Sequence, residues 1–464
     1  VRKLVAVAAV ALVVLGGSAS AGSPRPELAG LVTADDVRRH LIAFQDIAER
    51  HGGSRAAGTP GFEVSAVYVE RRLLAAGYTP RVERFRFPYW REKASAFLGL
   101  EPERRYARGT DYATLGYSGS GDVTAEVEAV DVPAEGGGSS GCQMRDFTGF
   151  AVGAVALLQR GGCLFRAKAV RARRAGASAV VVFNGPGREG PVRGTVGRPL
   201  PIPVIGAARE VGVALAEAAR RSPVRVRVRV KAVSGTRSGA NVLAERQGGS
   251  GPVILAGAHL DSAPGSPGVN DNASGAAALL AVAQRLTAVG PLRRTVRFAW
   301  WGAEEVGLRG SRHHVAELGA QARRTIALSL NFDMLGSPNG VRGVYDGDRS
   351  LGVGTPAPEG SAAIERLFRE HFASRHLPAA EQPFDGRSDY GPFIEAGIPV
   401  GGLTTGTDGS KSKAEAKAFG GTAGEPFDSC YHVPCDRVEN VDRALLDSNA
   451  DAMAAVLQRL ATAR

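Results

Sequence analysis

Between residues 35 and 80, apolar side chains recur at helical spacing. Val37, Leu41, Ile42, Phe44 and Ile47 make one stripe and Val64, Val67, Tyr68 and Leu74 a second, with Gly52, Gly53, Gly58 and Pro60 breaking the chain between them. Residues 82–89 alternate charged and bulky side chains, the pattern of an edge-like strand. A different rhythm starts near Arg105. It predicts strands at 123–130, 152–158, 179–183 and 202–205, helices over 165–175 and from 207, and a Gly-rich loop at 136–141. Arg225, Arg227 and Arg229 alternate with Val224, Val226, Val228 and Val230, which predicts a strand with one basic face. From Gly239 onward, short apolar strands at 252–257, 295–300, 325–332 and 398–401 alternate with helices at 273–286, 362–372 and 444–460. Mostly apolar strands separated by helices predict an α/β fold whose mixed central β-sheet is flanked by helices on both faces. Residues 106–235 are distinct enough in pattern, and long enough, to be a domain inserted into a body made of 22–105 and 236–464.

The amino terminus adds a location. Val1-Arg2-Lys3, an apolar run over 4–16 and the small residues Gly17-Ser18-Ala19-Ser20-Ala21 predict a signal peptide over 1–21 rather than a membrane anchor, since the run is short for a bilayer span. The expectation is a secreted, extracellular protein with no stable membrane insertion after cleavage. Four cysteines fall in two local pairs, Cys142 with Cys163 and Cys430 with Cys435, and an oxidising compartment would let each pair bridge. The formal charge is +11, but the arginines are scattered, so the excess bears on solubility and predicts no nucleic-acid partner.

Chemistry is concentrated in the second half. His259, Asp261, Asp271, Glu304, Glu305, Asp333 and His432 are imidazoles and carboxylates in a ratio that suits Zn²⁺, and two histidines among several acids match two adjacent ions better than one structural zinc. His259, Glu304–Glu305 and Asp333 each follow a predicted strand, and ligands in open α/β sheets gather beyond the carboxyl ends of strands. Asp271 is the candidate bridge between two ions, although Asp271-Asn272 could instead cap the helix that follows. Glu304 and Glu305 are adjacent and leave the backbone in different directions, so Glu305 can be a ligand while Glu304 accepts a proton from an acidified water. Asp261 could accept the second N–H of the His259 imidazole. His313, His314, His371 and His376 are expected on helices or at the surface, without a metal role. The chain has no HExxH, no GxSxG and no phosphate loop, and no nucleophile elbow surrounds Ser388.

These residues lie in segments that resemble the secreted M28 family of zinc aminopeptidases, in the branch carrying a protease-associated (PA) domain. The segments are Gly257-Ala258-His259-Leu260-Asp261-Ser262, Gly268-Val269-Asn270-Asp271-Asn272-Ala273-Ser274-Gly275, Trp301-Gly302-Ala303-Glu304-Glu305-Val306-Gly307-Leu308-Arg309-Gly310-Ser311, Asn331-Phe332-Asp333-Met334, Arg387-Ser388-Asp389-Tyr390 and Cys430-Tyr431-His432-Val433-Pro434-Cys435-Asp436. Gly153-Ala154-Val155-Ala156-Leu157-Leu158-Gln159-Arg160-Gly161-Gly162-Cys163, with Lys168 and Arg174-Ala175-Gly176-Ala177, resembles a PA domain. The resemblance implies a zinc exopeptidase fold and two zinc ions per chain. It puts His259 and Asp333 on one ion, Glu305 and His432 on the other, and Asp271 between them. Glu304 would be the general base, Tyr431 would hydrogen-bond the developing oxyanion, and Arg387 would stand at the substrate site. A disulfide between Cys430 and Cys435 would frame the Tyr431–His432 loop. The implied substrates are peptides or proteins with a free, bulky apolar N-terminal residue. A carboxypeptidase or dipeptidase with the same metals, a glutaminyl cyclase of the same fold, and an inactive binding protein with a peptidase body are the rival readings.

Overall fold

The computed structural model describes residues 26–100, 104–132, 140–186 and 188–463, so the expected signal peptide 1–21 and most of the loop 136–141 lie outside the described residues. Helix α1 (Ala34–Arg50) opens on a reciprocal cap, in which Thr33 Oγ1 accepts the Asp36 N–H at 3.1 Å and Asp36 Oδ2 accepts the Thr33 N–H at 3.2 Å. Helix α2 (Pro60–Ala75) begins on a proline, whose missing N–H costs nothing there. It turns Phe62, Ala66, Val69 and Leu73 inward and leaves Val64, Val67 and Leu74 exposed, so the predicted stripe, except Tyr68, which packs against the core, is its outer face. The helix is apolar on two sides, and the small Gly61, Ser65 and Ala66 let only one of them pack closely.

Strand β1 (Arg81–Leu100) runs out of the body, much longer than the alternation at 82–89 suggests. The region expected to be an insertion follows, with β2 (Gly121–Ala129), β3 (Val155–Gln159), α3 (Phe165–Arg174), β4 (Ala179–Phe183), β5 (Val204–Ala207) and α4 (Arg209–Arg221). Strands β2 to β5 are parallel, with α3 making the crossover between β3 and β4. The return is β6 (Arg225–Arg246), where Val226, Val228 and Val230 are buried and Arg225 and Arg229 exposed, the period-two pattern made physical. β6 is antiparallel to β1 from Arg81↔Leu243 to Leu100↔Val226, so one two-stranded ribbon is shared by body and insertion and runs unbroken through residue 235.

The body continues with β7 (Gly248–His259), α5 (Ser274–Leu286), β8 (Leu292–Trp301), α6 (Arg309–Glu317), β9 (Ile326–Asp333), β10 (Gly343–Tyr345), α7 (Ser361–Ser374), β11 (Ala380–Gln382), β12 (Val400–Thr404) and α8 (Arg443–Thr462). Its strand order is β11-β10-β12-β9-β7-β8-β6. Neighbours β12, β9, β7 and β8 are parallel, while β10 and β6 are antiparallel to β12 and β8, which makes the sheet mixed. Alternate side chains serve opposite faces. Ile254, Phe298, Trp300 and Leu330 pack against α5, α1, α7 and α8, whereas Leu255, Ala299 and Trp301 meet Val315, Tyr390 and Phe393. Complete burial of side chains such as Phe298 and Leu280 stabilises the body by about 1.5–3 kcal/mol each. Both predicted cysteine pairs are disulfides. Among the described residues no helix is long and apolar enough to cross a membrane.

Candidate active site

Parallel neighbours β7, β8 and β9 end on one edge of the sheet, and each end delivers a side chain there. β7 finishes on His259 and β9 on Asp333, while Glu304 and Glu305 stand in the turn after β8. Asp271 precedes α5, and His432 comes from a loop that the Cys430–Cys435 bond closes. His259 Nε2 lies 3.2 Å from Asp271 Oδ1 and 3.3 Å from Asp333 Oδ1. His432 Nε2 lies 3.0 Å from Asp271 Oδ2 and 3.0 Å from Glu305 Oε2. Two clusters result, His259–Asp271–Asp333 and Asp271–Glu305–His432, each with ligand atoms within 4.8 Å of one another. The Asp271 carboxylate is common to both and presents one oxygen to each.

The donor set fits metal cations. Asp271 Oδ2, Glu305 Oε1 and Asp333 Oδ1 are buried and accept no hydrogen bond, a costly condition for carboxylates that a cation would relieve. The charge balance agrees. Burial alone would depress the His259 imidazole, yet Asp333, Glu304 and Asp271 push its pKa well above the ordinary value. His432, which burial would also depress, is pushed up to about 10 by Asp271 and Glu305. Burial and the neighbouring Asp271 push Glu305 up to about 7. Carboxylates outnumber the cations available to them.

Glu304 differs from Glu305. Burial, reinforced by Asp389, Glu305 and Asp333, drives its pKa well above the usual carboxylate range. Its backbone N–H and that of Glu305 donate to Asp261 Oδ1 (3.0 Å) and Oδ2 (3.3 Å). Asp261 therefore orients the turn and not, through its carboxylate, the imidazole. His259 Nδ1 lies 3.0 Å from the Asp261 backbone carbonyl, which is the group placed to fix the tautomer. Asp436 performs a similar service for Asp271, its two oxygens accepting the N–H groups of Asn270 (2.7 Å) and Asp271 (3.0 Å). Ser388 donates to Asp333 Oδ2 and accepts from Asn331 Nδ2 at 2.8 Å.

Tyr431 stacks on His432 with ring centroids 3.7 Å apart, and its hydroxyl accepts from Arg387 Nη2 at 3.1 Å. Arg387 is held in turn by Asp408, 3.1 Å from Nη1. Burial raises the Tyr431 pKa, keeping the phenol a donor. These groups line a cleft of about 240 Å³ with Met334, Tyr345, Pro383 and Phe427 on its walls. Ala303, Met334 and His432 all have positive φ, at 60°, 59° and 62°, so the backbone is strained around the cleft.

Sequence reasoning missed three supports. Arg55, in what reads as a glycine-rich break, is fully buried and donates to the carbonyls of Leu260, Pro267 (3.1 Å) and Gly268 (2.7 Å), bracing the loop that leads to Asp271. His314, expected on a helix or at the surface, lies on helix α6 but is buried, with Nδ1 3.1 Å from Glu83. Asp389 is buried under a hydrogen bond from Ser311, and burial raises its pKa to about 7. Arg55 has no local signal, since its partners lie more than two hundred residues away. His371 bonds Asp451 across helices at 2.9 Å, away from the cleft.

Comparison with known proteins accounts for both halves of the chain. Residues 241–457 match the profile of "Peptidase family M28", and residues 123–215 that of the "PA domain". An "Aminopeptidase" of Pseudomonas aeruginosa is 42% identical over 433 residues, covering 91% of this chain and 80% of its own. Among solved structures, the "Aminopeptidase from Aneurinibacillus sp. strain AM-1" superposes with a TM-score of 0.72 at 24% identity, covering 94% of this chain and 96% of its own. A Bacillus subtilis protein described as "a zinc aminopeptidase" gives 0.62 at 24% identity over 93% of this chain and 96% of its own. The chain belongs to peptidase family M28 and carries a PA domain.

Proposed function

We propose that this M28 metallo-aminopeptidase uses two zinc ions to remove single residues from the amino terminus of peptides. The observation that carries the reading is the Asp271 carboxylate, which divides its oxygens between two clusters whose other members, Asp333 and Glu305, each hold one buried carboxylate oxygen without a hydrogen-bond partner. His259 and Asp333 would hold one ion, Glu305 and His432 the other, and Asp271 both. Bound there, the ions would supply Lewis acidity and a lowered pKa for water. Glu304, buried beside the cleft, takes the proton of the attacking water and returns it to the departing amine. Tyr431, kept protonated and oriented by Arg387, donates to the oxygen that gains charge at the scissile carbonyl. Asp261 holds the Glu304–Glu305 turn, and Asp436 holds Asp271, so neither acid must be ordered at the moment of reaction.

The excess of carboxylates suits the cationic α-amine of a free amino terminus, and the Met334, Tyr345, Pro383 and Phe427 walls suit a bulky apolar first side chain. Residues 106–235 are read as the inserted PA domain, reached through the β1–β6 ribbon and without a part in the chemistry. Two disulfides and the leader-like residues 1–21 support export from the cell.

A panel of aminoacyl anilides tests the reading. Leucyl anilide should be hydrolysed, its N-acetylated form should not, and a chelator should abolish turnover until zinc is restored. Cleavage confined to the acetylated substrate, or turnover indifferent to chelation, would defeat it.

A further inference from the structure

Glu304 and Glu305 sit in a turn whose two feet are Gly302 and Gly310. One side chain grips both. Asn241, fully buried on β6, accepts the Gly302 N–H on Oδ1 at 3.1 Å and donates through Nδ2 to the Gly310 carbonyl at 2.9 Å. Its remaining donor reaches Glu83 Oε2 at 2.9 Å, and Glu83 is its cross-strand partner on β1. Glu83 also holds His314 Nδ1 at 3.1 Å, on the helix that leaves Gly310, and His314 packs on Trp301, whose ring is 5.3 Å away. The fit is tight. A Cβ on Gly310 would stand 2.2 Å from Asn241 Oδ1, and one on Gly302 would stand 2.3 Å from the Ala240 carbonyl. Within the turn, Ala303 and Leu308 have positive φ, 60° and 57°, so the segment needs outside restraint to keep this shape.

We propose that Asn241 is a positioning residue for the reaction: it staples the two feet of the turn and thereby fixes Glu304 against the substrate carbonyl. The proposal rests on the reading of Glu304 as the base. Asn is suited to the task because its amide is the one neutral side chain of this length with an acceptor for an N–H and two donors for a carbonyl and a carboxylate. Misplacing a reacting group by about 1 Å can cost on the order of 100-fold in rate.

The test replaces Asn241 by Asp, which keeps the acceptor for Gly302, removes both donors and sets a charge against Glu83. In N241D assayed with saturating zinc, kcat should fall about 100-fold with KM within about threefold, and amides of the turn should exchange with deuterium about tenfold faster. Adding Glu83→Gln to N241D supplies a donor facing the new carboxylate and should recover about tenfold of kcat. A folded N241D with near-normal kcat would overturn the proposal, as would a loss of kcat with no change in exchange of the turn. Should N241D not fold, Glu83→Gln alone, which weakens the grip without removing it, is read by the same two measurements. A Glu304→Ala variant made in parallel separates the two readings. If it kept turnover, the assignment of the base would fail, while exchange in N241D would still decide the staple.

Discussion

The segments matched by the M28 and PA profiles are built alike, from parallel strands and helices, yet their strand ends are chemically opposite. β7 and β9 end on His259 and Asp333, whereas β3, β4 and β5 end on Gln159, Phe183 and Ala207. Buried polar groups in the insertion satisfy one another: Lys168 donates to the Ser140 carbonyl at 2.5 Å, and the Ser140 hydroxyl accepts the Gln159 N–H at 2.6 Å. Among the described residues, the buried side-chain atoms that lack a hydrogen bond, on Arg246, Asp271, Glu305, His314, Asp333, Asp389 and Asn449, all belong to the body. Four of these seven residues are acids, of which Asp271 and Asp333 line the cleft and Glu305 and Asp389 adjoin the lining residues Glu304 and Ser388, and that concentration is what separates a site from a scaffold. Unsatisfied charge marks where the fold awaits something from outside the chain.

The comparison breaks most visibly at Asp271. Asp271→Asn should lose zinc from both clusters and reduce turnover to background, because one carboxylate serves both. Glu304→Gln should keep wild-type zinc and lose about a thousandfold in kcat, the scale of a missing proton acceptor. Metal analysis beside steady-state kinetics distinguishes the two. Full zinc in D271N would mean that Asp271 is not the shared ligand.

A smaller effect follows from histidine. All eight imidazoles of the chain lie outside 106–235, and His40 is buried between Tyr68 Oη (2.7 Å) and Gln284 Oε1 (3.1 Å). Burial pulls its pKa down to about 4. Because the folded value is depressed below the unfolded one near 6.5, the unfolded state binds the proton more readily between these values. Stability is therefore intact above pH 6.5 and falls as the pH drops toward 4, by about 3 kcal/mol from this group. Denaturant midpoints at pH 7 and pH 4.5 should differ in the native chain and converge in part in His40→Asn. An unchanged pH slope in that variant would remove His40 as the source.

Much of this architecture was legible because period and composition agree. The valine–arginine alternation of β6, the all-round Ala/Leu helix α5 and the apolar strands ending at His259 and Asp333 each show in the sequence what packing then uses. The buried face of helix α2 was not legible: Val64, Val67 and Leu74 compete with Phe62, Ala66, Val69 and Leu73, and only the tertiary fit of the small residues chooses. The metal-type residues stood out by kind and by place after strands. Their supports did not, because Arg55, Glu83 and Asn241 act on segments far along the chain, and a buried arginine in a glycine-rich turn looks like a surface one until its partners are known.

The smallest effect is expected from the insertion's own buried cation. Lys168 is fully buried on α3, and burial brings its pKa down to about 8 against the opposing pull of Asp146 and Asp131. Lys168→Met keeps the unbranched stem in place and removes the ammonium. The Ser140 carbonyl then loses a donor, which costs about 1–3 kcal/mol, while the desolvation of a charge is relieved, so the net loss of stability should be about 1 kcal/mol. Catalysis should not notice: kcat/KM should stay within about twofold, since surface and scaffold changes remote from a site act on stability first. A drop of about tenfold in kcat at unchanged stability would instead show that the insertion communicates with the cleft, and the β1–β6 ribbon, which carries Glu83 and Asn241, would be the route.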